Sequence, residues 1–514
     1  MNTSPNSESP ALVETSAAAS PNGGASTVIN MSTAETHSAN RLTLLWVISL
    51  LVLFPFLVLL GLTLRSAQSK LLSADLLPAE RFYSILTLHG QGMVGLWFVA
   101  VMAGVCVELR KYVRLRMWVN WFAFLGTLLG VALLVVATLI GKYGAGWYFL
   151  YPLAIFPKGV WEDWATYTFL LAVAVLGVTW AVWNIDVLWG IARQYSLSAA
   201  LSWHYITGRP GPEVPPFILI VTISMIANLT GLISAVVMLG LYGLELAGFT
   251  DTSDALLMKN LLFLFGHLIV NITMYLGVGL VYELLPEFAN RPWKNSRWTA
   301  IAWNFVLVLI IIAYFHHLYM DFAQYKIAQI IGQVASYGVA IPSAIVSVYG
   351  TLTLVWRARM QWSMASLMMY LGVMGWCVGG MGALIDSTIA FNTKFHNTLW
   401  VPAHFHTYYL LGVVLMILGG TYHLCGKLSG LPENLWRSRL CVGLICGGGY
   451  GFVLMFYLGG ASSIPRRYAQ YHELISTGTL LAGIALVFIT LLFVGVLIYI
   501  WETGRRCAVA LKKV

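Results

Sequence analysis

Along this chain, long apolar stretches alternate with short polar ones. Twelve apolar stretches begin near Leu42, Phe82, Met117, Ala165, Pro216, Leu256, Trp298, Ile327, Gln361, Thr398, Arg439 and Glu473. Each supplies the ~20 apolar residues that an α-helix needs to cross the hydrocarbon of a bilayer. A membrane β-barrel would need ~10-residue segments of alternating character, and the sequence has none. The pattern predicts an all-α polytopic membrane protein with twelve transmembrane helices over residues 41–502. Residues 1–40, rich in Ser, Ala, Thr, Asn and Pro, read as a disordered tail, and residues 503–514 as a short second tail. No apolar run precedes the first helix, which therefore acts as its own insertion signal.

Polar side chains inside these stretches are the informative exceptions, because ionisable groups at membrane depth are costly and their default reading is functional. The second stretch holds His89 within Leu86-Thr-Leu-His-Gly-Gln-Gly-Met93, where the small Gly90 and Gly92 leave room for something broad and flat; plain helix packing is the bland alternative. The sixth places His267, Asn271 and Tyr275 on one helical face. The seventh ends in the adjacent pair His316 and His317, about 100° apart on a helix, so both reach one metal only if it sits between their directions. A third imidazole from a neighbouring helix would complete a trigonal site suited to Cu, Fe or Zn. In the tenth, His404 and His406 are two positions apart and point to roughly opposite faces, so one helix serves two centres.

Other polar positions say less. The eighth stretch carries Gln333, Ser336, Tyr337, Ser343 and Thr351 around Pro342, either to satisfy the backbone beside the proline or as a proton path. Arg466 and Arg467 are adjacent on a face where basic residues are scarce, which suits a buried anion gripped by two guanidiniums. His37, His204, His423 and His472 read as surface residues, and Glu162 and Asp163 as solvated carboxylates at an aromatic belt.

Composition agrees: 59% of the residues are hydrophobic and only 10% charged. The net charge of +9 does not point to nucleic acid, because nineteen of the 29 Lys and Arg fall on the loop face that holds both termini. By the positive-inside rule that face is cytoplasmic, which predicts a multi-pass protein of the cell's inner (plasma) membrane with both termini cytoplasmic. Six scattered cysteines form no C-x-x-C pair, which excludes a zinc knuckle and a covalent C-x-x-C-H haem site.

In order and helix spacing, these motifs resemble catalytic subunit I of the haem-copper oxidase superfamily, from about Leu42 to Trp501. The resemblance implies that His89 and His406 are the axial ligands of a low-spin haem and His404 the proximal ligand of a high-spin haem. His267, His316 and His317 resemble the ligands of the facing second metal, normally copper. Arg466 and Arg467 match the pair that holds the haem propionates, and His396, in His-Asn-Thr, the histidine beside them. The implied cofactors are two haems and one further metal, with Cu ahead of Fe for an all-imidazole donor set.

The departures decide the expected reaction. Oxygen reductases of this superfamily usually carry a redox-active tyrosine four residues after the first metal ligand, and here that residue is Asn271. Asparagine offers hydrogen bonds but neither an electron nor a proton. The substitute position before the histidine pair is Ile310, and the lysine that many members place in the eighth helix is Val346. The favoured expectation is reduction of NO to N2O, which needs no tyrosyl radical, with Asn271 orienting the bound substrate. Better-known nitric oxide reductases put a glutamate near a non-haem iron, whereas Glu283 here is four turns from His267. The alternative is an oxidase that reduces O2 to water, perhaps pumping protons, with Tyr275 or Tyr314 as the radical site. In either case a second subunit is implied that brings electrons from cytochrome c, a small copper protein or quinol.

Overall fold

The computed structural model describes residues 32–514, and twelve of its helices are long and apolar enough to cross a membrane. They are α1 (Thr33–Gln68), α2 (Ala79–Leu109), α3 (Met117–Ile140), α4 (Asp163–Tyr195), α5 (Pro216–Leu246) and α6 (Ala255–Ala289), then α7 (Arg297–Leu318), α8 (Lys326–Val355), α9 (Met364–Asp386), α10 (Trp400–Ser429), α11 (Leu435–Ala461) and α12 (Glu473–Leu511). No strand occurs among the described residues; one isolated bridge joins Thr398 to Pro465. The protein is an all-α polytopic membrane protein, as the hydropathy pattern predicts.

Helix ends follow local chemistry. Ser32 and Glu35 form a capping box on α1, Asp254 caps α6 by accepting from Leu257 N, and Pro216 occupies the first position of α5. The capping box starts α1 at Thr33, ahead of the boundary expected at residue 40, and residues 1–31 lie outside the described residues. The expected tail from 503 is also helical, to Leu511. His37 Nδ1 lies 3.3 Å from the Val514 carbonyl oxygen, so the chain's end meets the start of α1 on one face of the bundle, below called the termini face.

Burial is uneven. In α2, α5, α6 and α10, 61 to 78% of the most apolar window is buried, against 28 to 50% in the other eight spans. Three of the four interior spans carry His89, His267, His404 and His406. Of three π-turns, Val136–Ile140 closes α3, while Ile345–Tyr349 and Tyr409–Val414 interrupt α8 and α10. The last follows directly on the His404–His406 segment, where α9 comes so close that a Cβ at Gly375 would overlap the Leu411 carbonyl. Such π-turns are frequent where a helix is bent to serve a site.

Candidate functional site

One cavity of about 1260 Å³ runs through the middle of the bundle. Its wall includes His89, His404 and His406, His267, His316 and His317, and Asn271, His396, Arg466 and Arg467. Residues from six separate stretches of chain thus face one volume, larger than the 300–1,000 Å³ usual for a ligand pocket.

At one side, His89 Nδ1 is 2.9 Å from Leu57 O and His406 Nδ1 is 2.7 Å from Pro402 O. A carbonyl oxygen only accepts, so both Nδ1 atoms carry the proton and both Nε2 atoms keep a lone pair. Two imidazoles fixed in this tautomer suit the two axial positions of a haem iron. Gly61 makes space for the His89 ring, since a Cβ there would come within 3.0 Å of His89 Cε1. The expected role of Gly90 and Gly92 is corrected: the side chains of Trp147 and Leu57 fill those spaces, each 2.6 Å from where a Cβ would stand. These two glycines serve packing.

His404 turns Nδ1 toward α9, where a Cβ at Gly382 would lie 3.2 Å away. Phe405, between the two histidines, stacks on Tyr409 with ring centroids 5.0 Å apart.

On the other side, the ligating atoms of His267, His316 and His317 all lie within 4.8 Å of one another. His267 Nδ1 and His317 Nε2 are 3.3 Å apart, about the spacing of two nitrogens bound at ~2.0–2.1 Å to one tetrahedral ion. The end of α7 tightens into a 3₁₀ turn, Tyr314–Leu318, which brings the His316 and His317 rings to 4.2 Å. Ser336 on α8 gives its hydroxyl proton to Gly332 O at 2.6 Å and receives His316 Nδ1–H at 2.9 Å. His316 therefore also presents Nε2. Buried, mutually facing imidazole nitrogens without a carboxylate fit a copper or iron ion.

Asn271 lines the cavity next to this cluster. Its Nδ2 donates to His267 O at 2.8 Å and stands 3.5 Å from His267 Nδ1. Tyr275, one turn further along α6, also lines the cavity, with its hydroxyl buried and without a partner. Tyr314 does not: its hydroxyl goes to Asn260 Oδ1 at 3.1 Å, away from the cavity. Glu283 is engaged elsewhere, 3.0 Å from both Lys111 Nζ and Tyr112 Oη.

Arg466 and Arg467 reach the cavity on a turn clipped to the start of α10 by Leu399 N to Ile464 O and Arg466 N to Asn397 O, both 2.9 Å. Arg467 adopts φ +68°. Neither forms an ion pair with a protein carboxylate among the described residues, and Arg466 Nε is buried without a partner. That is the arrangement a cofactor carboxylate would complete. His396 joins them at the cavity wall, and burial together with Arg466, Lys259 and Arg467 pushes its pKa down to about 4.

Sequence reasoning missed Arg65, Lys259, Asp321 and Asp386, all on the cavity wall. Arg65, 7% exposed, lies over the Phe456 ring at 3.9 Å, and Phe456 in turn packs against His406. A charge within an apolar stretch was the available signal. His423 is not a surface residue: it is partly buried, 3.0 Å from Glu287 Oε2. His204 is likewise partly buried, with Nε2 enclosed.

The family model described as Cytochrome C and Quinol oxidase polypeptide I matches residues 41–497. The chain belongs to this family. Cytochrome c oxidase subunit 1 of Thermus thermophilus is 25% identical over 461 residues, covering 82% of this chain and 76% of that protein. The Bacillus subtilis subunit 1 is 24% identical over 459 residues, covering 84% and 69%. Cytochrome c oxidase subunit 1 of Cereibacter sphaeroides is 27% identical over 266 residues, covering 49% of this chain and only 45% of that relative. The fold is shared with a heme-copper terminal oxidase dimer, at a TM-score of 0.77 and 20% identity, over 93% of this chain and 84% of that one. As a member of the Cytochrome C and Quinol oxidase polypeptide I family, the chain is a membrane-embedded oxidoreductase subunit, and the family implies haem and a copper or iron centre.

Proposed function

We propose that this subunit catalyses 2 NO + 2 e⁻ + 2 H⁺ → N2O + H2O in the cavity between His404 and the three-imidazole cluster. The observation that carries the reading is Asn271, one helical turn from His267, where the superfamily's oxygen reductases usually place a redox-active tyrosine. His89 and His406 would hold a low-spin haem, His404 a high-spin haem, and His267, His316 and His317 a second metal, Cu ahead of Fe. These groups would supply electrons and Lewis acidity toward NO. The chain's own residues do the rest: Arg466 and Arg467 grip the propionates, His396 stands beside them, and Ser336 fixes the His316 tautomer.

Asn271 acts as a donor. One amide proton is held by His267 O, which orients the side chain, and the second is left to steady an oxygen of the substrate. Protons would arrive from the termini face along α8. Ser347 there meets Tyr282 at 3.0 Å, Thr351 Oγ1 is buried without a partner, and Ser343 lines the cavity. Ser336 and Ser343 also give their protons to Gly332 O and Val339 O, so these hydroxyls serve the helix backbone as well. We place both termini in the cytoplasm of a plasma-membrane enzyme. Electrons would come through a second subunit from cytochrome c, a small copper protein or quinol.

A second reading, reduction of O2 to water, is favoured by the names of the relatives and by Tyr275, whose unpartnered hydroxyl is at the cavity. Steady-state turnover with one electron donor, following N2O formation and O2 uptake separately, decides between them. Rapid O2 reduction with negligible N2O overturns the first reading.

A further inference from the structure

At the end of the cavity away from the termini face, the wall is made by α6 and by the loop that leaves the His316–His317 turn. Leu318 and Tyr319 anchor the start of that loop: both are buried, and the Tyr319 hydroxyl donates to Ser387 O at 3.0 Å. Beyond them the apolar side chains turn outward, with Met320 47%, Phe322 102% and Tyr325 79% exposed. Within this chain, packing therefore does little to hold residues 320–325.

Polar bonds to two neighbouring α6 residues do it instead. Lys259 Nζ is 2.7 Å from Asp321 Oδ2, and Asn260 Oδ1 accepts from Gln324 Nε2 at 3.0 Å and from the Tyr314 hydroxyl at 3.1 Å. Asp321 Oδ1 also takes Ala323 N–H at 3.2 Å, so its carboxylate shapes the loop and ties it to α6. Lys259 and Asp321 both line the cavity, yet their side chains keep 36% and 12% exposure. The pair therefore stands between solvent and cavity. One turn along α6 from Lys259, Phe263 stacks on His317 with centroids 5.2 Å apart, so the pair closes the wall beside the three imidazoles.

We propose that the Lys259–Asp321 ion pair is the latch of a solvent gate, with residues 320–325 as its moving part. Closed, it keeps water from the three-imidazole cluster; open, it admits small polar solutes and lets product water leave. The gate follows from the wall itself, and only the identity of what passes rests on the function proposed above. Because the pair is part-exposed, its hold is modest and breathing is expected.

The test uses the full chain in lipid nanodiscs with Lys259→Met, Asp321→Asn and the exchanged double variant Lys259→Asp/Asp321→Lys. Hydrogen exchange of residues 320–325 needs no bound metal. It is expected to quicken about tenfold in both single variants and to return toward wild type in the exchanged pair. The rate at which azide binds the oxidised protein gives a second reading. Charge steering alone would make an anion faster with Asp321→Asn and slower with Lys259→Met, whereas a latch makes both faster. Unchanged exchange in both single variants, or azide rates moving in opposite directions, overturns the latch. A wild-type protein that ignores azide while its variants loosen as described supports the latch and counts against the proposed metal centre.

Discussion

Ser336 Oγ stands 2.9 Å from His316 Nδ1 while giving its own proton to Gly332 O. The hydroxyl has one proton and it is spent on the helix, so toward the imidazole it only accepts. Ser336→Ala therefore removes the side-chain acceptor that holds the His316 tautomer and leaves only the backbone bond to Ala313. Retention of the second metal is expected to weaken about 10- to 100-fold, the usual consequence of removing such a support. Metal content per chain after dialysis against a chelator checks this. Ser336→Thr should retain the ion, and the low-spin haem spectrum should be the same in both.

Asn271 separates binding from turnover. Asn271→Ala is expected to lower N2O formation about 100-fold, as loss of a positioned donor does elsewhere, with haem and metal content unchanged. Asn271→Asp adds a carboxylate beside the metal ligands and should alter NO turnover as well. Unaltered kinetics in Asn271→Ala would remove the proposed role.

Gly61 offers a test that touches no ligand. Valine there would drive a methyl group into the His89 ring, which a Cβ alone already approaches to 3.0 Å. Gly61→Val is expected to displace the ring from Leu57 O and to lower low-spin haem occupancy, read from the absorption spectrum. The His267, His316 and His317 cluster should keep its metal.

His396 sets a pH dependence. In the haem-free protein its pKa is held to about 4, by burial first and then by Arg466, Lys259 and Arg467, so the folded haem-free chain keeps it neutral at pH 7. In the unfolded chain it takes its proton near pH ~6.5. Between those values the unfolded state binds more protons, so stability falls as pH drops from ~6.5 to about 4 and levels off below. Part exposure discounts the effect to about 1–3 kcal/mol. Melting temperature against pH should show this slope, flattened in His396→Asn.

The chain's hydropathy located all twelve spans, and the starts near Met117, Pro216 and Glu473 coincide with the helices. The early start of α1 escaped because its capping box is polar and lies outside the apolar window. Six of the seven histidines that line the cavity, all but His396, were legible as costly polar exceptions in apolar runs. Ser336 was visible only as a hydroxyl near a proline, because its partner His316 is reached across the α7–α8 contact. The two readings of Gly90 and Gly92 stayed open for a similar reason: the side chains that fill their spaces, Trp147 and Leu57, come from a loop and from α1. Asp321, in a loop, gave no signal until its position against Lys259 was known.

That His404 and His406 share α10 also fixes an order of biogenesis. Membrane spans enter from the N-terminus as the ribosome makes them, so on the proposed haem ligation His89 waits more than 300 residues for His406. The three-imidazole cluster, in contrast, is complete once α7 has entered. A nascent chain stalled between the seventh and tenth spans would then be competent for metal but not for haem, and a haem-delivery factor would have to act late, on a bundle already largely assembled.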